Sequence, residues 1–176
     1  MRAIVVGLFF LGLTSLCYAQ NKDGEMLSEV EVNAINYDYL KSVEVEFIPF
    51  SVRSLEIEVA NFDVHETSVI IIGDENAYQD EDGNYNVKFV NNYGIIKAVY
   101  NEEGIVLEAT ERFKNIKMPQ AVLRSILKKY PDCVISKDLY LVTYNHDEGT
   151  TRKYVIFIKN NNKRVKIKSD ENGNIS

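Results

Sequence analysis

Between Tyr154 and Lys168 the sequence YVIFIKNNNKRVKIK interleaves cations with apolar residues, and Phe157 stands between Ile156 and Ile158. Alternation with a period of two puts the two kinds of side chain on opposite faces of a strand. One face then gathers positive charge round an aromatic ring, which is the chemistry of a surface that receives an acidic partner. Catalytic and metal-binding chemistry has much less to build on. The two histidines, His65 in FDVHETS and His146 in YNHDEG, have no Cys or second His at ligand spacing. Cys133 has no His nearby in sequence and reads as a small buried hydrophobe after a helix. Nucleophile-elbow, phosphate-loop, zincin and dinucleotide motifs are all missing. General acid and base work needs titratable groups converging in a cleft, and the carboxylates here are scattered, so no catalytic residue and no cofactor is expected.

The stretch GDENAYQDEDGNY, with Asp74, Glu75, Asp80, Glu81 and Asp82 around Gly83, invites a calcium reading. Placing Gly83 at the invariant glycine of a calcium loop puts Tyr78 at the first ligand position and Phe89 at the bidentate Glu position, so the loop pattern fails at both ends. An acidic hairpin is the better reading, with a weak ion site left open.

Charge is divided along the chain. Gln20 to Thr110 holds 5 Lys and Arg against 19 Asp and Glu, whereas Glu111 to Ser176 holds 14 against 7. Either the two halves neutralise each other or the basic half faces an acidic partner. The net charge of -6 argues against nucleic acid. The opening MRAIVVGLFFLGLTSLCYAQ has Arg2 ahead of an apolar run that ends at Cys17-Tyr18-Ala19, the pattern of a secretory signal peptide over 1–19 cleaved between Ala19 and Gln20. The large Leu16 before Cys17 disfavours a lipid anchor. A periplasmic or secreted protein without stable membrane insertion is expected, with Cys133 its only thiol and no internal disulfide.

The elements that position the cations follow from a repeat. YNVKFVNNYGIIKAVYNEEGIV, from Tyr85, aligns without a gap on YVIFIKNNNKRVKIKSDENGNI, from Tyr154, at a shift of 69 and with 6 of 22 positions identical. Each copy reads as two strands joined by an Asn-rich turn and followed by a second turn, Asn101-Glu102-Glu103-Gly104 or Asp170-Glu171-Asn172-Gly173. Val87, Phe89, Ile96 and Ala98 stay apolar as Ile156, Ile158, Val165 and Ile167, which marks the core face. Helical patterns precede both copies, over Phe50 to Asn61 and over Pro119 to Tyr130, the second with a stripe of Val122, Leu123, Ile126, Leu127 and Tyr130 closed by Pro131. The expected fold is α+β, a tandem repeat of a helix covering a four-stranded antiparallel sheet, with a first repeat over 20–110 and a second over 111–176.

A helix introduced by Pro119 and closed by Tyr130-Pro131, then strands and the Asp170–Gly173 turn, resembles the PepSY-like, β-lactamase-inhibitor-like domains of exported bacterial proteins. The resemblance covers Val106 to Ser176, and the first copy departs from it at Asn61-Phe62-Asp63. It implies a non-catalytic module that binds or restrains another exported or envelope protein, such as a peptidase or β-lactamase.

On the second sheet the shared core face requires Phe157 opposite Lys166, Lys159 opposite Arg164 and Val155 opposite Lys168. These residues form the expected partner-binding face, with Tyr140 and Tyr144 of the preceding strand assigned to it by residue type. A second reading is a small-ligand or ion carrier that uses the cleft between the repeats. The two part on whether that cleft is filled or hollow.

Overall fold

The computed structural model describes residues 36–45, 48–65, 77–161 and 163–176. The expected leader over 1–19, with its cleavage point, and the acidic residues Asp74 and Glu75 lie outside the described residues.

Among the described residues, seven strands run β1 (Ala77–Gln79), β2 (Tyr85–Val90), β3 (Gly94–Tyr100), β4 (Val106–Lys114), β5 (Val134–Asn145), β6 (Gly149–Asn160) and β7 (Lys163–Ser169). They form one sheet in that order, each strand antiparallel to the next. Three of the turns share one construction. Asp80 Oδ1 accepts from the N–H of Asn84 at 2.9 Å, Asn101 Oδ1 from Ile105 at 2.8 Å, and Asp170 Oδ1 from Asn174 at 2.9 Å. Gly83, Gly104 and Gly173 supply the positive φ each turn needs, +85°, +80° and +85°. Asp80 thus commits its carboxylate to turn closure, also accepting from the Asp82 N–H and the Asn86 side chain.

Each of the two aligned segments forms an antiparallel hairpin. Val87 faces Ala98 and Phe89 faces Ile96 in the first, and Ile156 faces Ile167 and Ile158 faces Val165 in the second. The expected architecture is corrected, however: this is a mainly β molecule and not a tandem α+β repeat of helix plus four-stranded sheet. The reason lies in β4 and β5, which pair without a break from Glu108↔Asn145 to Lys114↔Leu139 and so weld the hairpins into a single sheet. An isolated sheet would leave those backbone N–H and C=O groups open along an edge, and pairing satisfies them. Thr110 and Glu111, where the repeats were divided, are consecutive residues of β4.

Among the described residues, three short helices, α1 (Tyr37–Val43), α2 (Phe50–Ala60) and α3 (Gln120–Lys129), contribute to one core with the inward face of the sheet. Pro49 and Pro119 stand directly before α2 and α3, where a missing N–H costs nothing. α2 buries Val52, Leu55 and Val59 toward β2 and β3, and α3 buries Val122 and Ile126 into the cluster that holds Ile156, Ile158 and Ile167. The expected α3 stripe is narrower than its apolar residues suggest. Leu123 and Tyr130 are half-buried, and Leu127 is 42% exposed. α1, which the helical periodicities did not reveal, seats Tyr39 edge-on against Tyr144 with ring centroids 5.2 Å apart.

Candidate functional site

Residues that face each other across strands share a side, so the register sorts the sheet into a helix-covered face and an open one. Phe157↔Lys166, Lys159↔Arg164 and Val155↔Lys168 pair directly, and this side of β6 and β7 carries none of the helices. Following the rows outward adds Lys88 and Lys97, Arg112 and Lys114, then Lys137 and Lys153. Glu108 is the acid among the strand positions on that side. Apart from half-buried Lys88 these cations are exposed. Leu139 and Val155 sit in the row Lys114–Leu139–Val155–Lys168 and are each only 7% exposed although none of the described helices packs on that side, as expected where long cationic side chains lay their stems across apolar neighbours. The Lys137 ammonium stands 5.9 Å from the centre of the half-buried Phe157 ring.

Tyr140 and Tyr144 do not belong to this face. Tyr140 pairs with Tyr154 and Tyr144 with Thr150, in phase with the buried Val142, which puts both rings under the helices at 1% and 3% exposure. Assignment by residue type failed here because a tyrosine is mostly apolar and buries well once its hydroxyl is placed.

That covered face holds polar chemistry. Glu111 takes an inward position of β4 between Ala109 and Phe113, and its Oε1 accepts from the Tyr39 hydroxyl at 2.8 Å. Glu56 of α2, fully buried, is bound by Arg53 at 3.2 Å. Burial pushes both carboxyls up, to about 7 for Glu56, where the arginines pull the other way, and to about 8 for Glu111, where the charge of Glu56 adds to the burial. Arg152, in the same inward phase of β6 as Tyr154, donates from Nη2 to the Ser42 carbonyl at 2.6 Å and stands 3.9 Å from Glu171. Glu56 Oε1, Glu111 Oε2, Tyr140 Oη and Arg152 Nε are buried with no hydrogen-bond partner among the described residues. Sequence alternation carried a signal for one of these: Glu111 interrupts the inward apolar phase between Ala109 and Phe113, whereas Arg152 stands between Thr150 and the apolar run that starts at Tyr154.

Beside this cluster the packing is hollow. A cavity of about 450 Å³ is walled by Val45, Ile48, Pro49, Ile116, Met118 and Pro119, with Tyr140, Tyr154, Glu171, Lys117 and Gln120 supplying its polar groups. Its volume falls within the range of small-molecule sites. Among the described residues, no cluster of His, Cys, Asp and Glu has the make-up to hold a metal, and no helix is long and apolar enough to cross a membrane.

No family model matches the chain, and no curated protein matches it. The PepSY-like, β-lactamase-inhibitor-like resemblance therefore gains no support from these comparisons. The chain is similar to the crystal structure of a protein from Bacteroides eggerthii DSM 20697 predicted to be periplasmic, with 14% identity and a TM-score of 0.34 over 56% of this chain and 70% of that one. A likeness of that size carries no argument about mechanism.

Proposed function

We propose that the protein is an exported, non-catalytic binding module that docks an acidic protein partner on the open face of its sheet. The observation that carries this reading is the one-signed character of that face: its cations run from Lys88 on β2 to Lys168 on β7, with Glu108 their acidic companion, on a chain whose net charge is -6. A face with cations on one side of a net-acidic molecule steers and orients an acidic partner. Phe157 supplies a partly exposed aromatic anchor within the charged rim. Export rests on the leader pattern of 1–19.

The test uses the purified chain as bait for the envelope fraction of its native host. Capture of an acidic protein should weaken with rising salt, and the pair Arg164→Glu and Lys166→Glu should weaken it further and flatten its salt dependence. Both residues are exposed, so the melting temperature should hold. Capture that survives both reversals together with Phe157→Ala places the partner elsewhere. Retention on vesicles of anionic lipid, with no protein held, would assign the face to a membrane surface and overturn the reading.

The hollow walled by the links that lead into α2 and α3 favours a second reading, a small-ligand site at that place.

A further inference from the structure

Where Lys88 of β2 meets Lys97 of β3, the open face is concave. The two lysines stand directly opposite each other in the register, and both line one groove of about 350 Å³. Side chains so paired leave the backbone only about 5 Å apart, and like charges at that spacing destabilise a sheet. Lys88 is half-buried as well, so water compensates its charge less fully. Among the described residues, neither ammonium has an ion pair or a hydrogen bond. The nearby acids are held elsewhere. Asp80 accepts from the side chain of Asn86 at 3.0 Å and from two backbone N–H groups of its own turn. Glu108 faces Val99 and is bound by the Asn145 side chain at 3.4 Å. Arg112 faces Ile95 and adds positive charge beside the groove. The remaining lining is apolar in character: Ile95 and Val99, both half-buried, flank the lysine pair, and Tyr78 of β1, 50% exposed, borders it from the outer strand.

Two lysines exclude a cation, and a wholly apolar ligand would leave their repulsion in place. An anion that accepts from both removes it. If an apolar group accompanies the anion, Ile95, Val99 and the Tyr78 ring are covered too. We propose that this groove anchors the acidic partner, receiving a carboxylate side chain between Lys88 and Lys97 together with an adjacent aromatic side chain against Tyr78, Ile95 and Val99. The assignment rests on the reading of the open face as a protein-docking surface. It gives that face a second contact point, four strand spacings or roughly 19 Å from the strand that carries Phe157.

The test titrates the full exported chain, with isotope-labelled lysine side chains followed by NMR at pH 7 and low salt, with the blocked peptide Ala-Phe-Glu-Ala and its Gln counterpart. The Glu peptide should move the Lys88 and Lys97 signals ahead of all other lysines and bind about fivefold tighter than the Gln peptide, the scale of two exposed ion pairs. Lys88→Gln and Lys97→Gln should each reduce that preference and together abolish it. Their melting temperatures should hold or rise, because each removes like-charge repulsion, so lost binding is not lost fold. Equal affinity for the two peptides, a preference that survives the double replacement, or inorganic phosphate moving the two signals as strongly as the Glu peptide overturns the carboxylate anchor. Capture of an envelope protein separates this inference from the docking reading. Capture weakened by Arg164→Glu and Lys166→Glu but untouched by Lys88→Gln and Lys97→Gln keeps the docking face and removes the groove from it; capture untouched by either pair overturns both.

Discussion

Glu56 and Glu111 are the most consequential residues that the sequence reading passed over. Both are carboxyls in apolar phase, and burial raises both, to about 7 and about 8. The groups facing them come from every packed element: Tyr39 of α1, Glu44 of the following link, Arg53 of α2 and Arg152 of β6. A carboxyl raised in the folded state binds its proton more tightly there than in the unfolded chain, so its contribution is fully present below the unfolded value near 4.5. That contribution is lost as pH climbs through the folded values. The protein should therefore be more stable at pH 5 than at pH 9, by at least about 1.4 kcal/mol, the free energy of a tenfold difference in proton affinity between the folded and unfolded chain. Urea unfolding at the two pH values measures it. Glu111→Gln keeps an acceptor for Tyr39 and should flatten the difference, and a profile as steep as that of wild type would show that other groups set the pH dependence. The alternation around Ala109, Glu111 and Phe113 was there to be read, but a charged residue in an apolar row is easily taken for a register slip until its partner strand is known. For Tyr140 and Tyr144 the alternation with Val142 was the sounder guide than residue type.

At the scale of elements, strands and turns left clear marks because their determinants are local. Glycine positions, Asx residues at turn starts and period-two alternation placed the β2–β3 and β6–β7 hairpins and their registers. The prolines placed α2 and α3, whereas α1, seven residues long and without a side-chain cap, has no local signature and depends on Tyr39, Leu40 and Val43 finding the core. How α3 is held was invisible in sequence. A Cβ on Gly173 would come within 2.6 Å of the Ala121 carbonyl oxygen, so the last turn of the chain is seated directly against the first turn of α3. Gly149 has nearly the same backbone, φ +81° against +85°, with nothing within 4 Å of its would-be Cβ. Alanine at either site meets the left-handed strain, roughly 1–2 kcal/mol. Gly173→Ala alone must also push the turn off the helix, and should cost at least about 1 kcal/mol more than Gly149→Ala in chemical denaturation. Equal costs for the two variants would show that turn and helix separate freely.

For the molecule as a whole, the internal repeat pointed to two modules and the strand pairing makes one. Similarity between hairpins reports how each was built and is silent about how their edges meet, because a β4–β5 ladder rests on backbone groups that every residue carries. Among the described residues, β1 and β7 are the outermost strands of the sheet. β1 is three residues long, and β7 carries Lys163, Arg164, Lys166 and Lys168, so both are poor templates for pairing with another chain. The core is likewise continuous, with Ile96 and Ala98 of the first hairpin in one cluster with Ile156 and Ile167 of the second. Two modules with separate cores would unfold in two steps, and a destabilised first module would melt ahead of an unchanged second. A single core predicts otherwise: one transition, coincident by far-ultraviolet circular dichroism and tyrosine fluorescence. Ile96→Ala and Ile156→Ala, both in fully buried positions, should each lower that one transition by about 2–5 kcal/mol, in both signals together. If Ile96→Ala splits the melt so that one signal moves and the other stays, the hairpins fold separately and the β4–β5 ladder does not couple them.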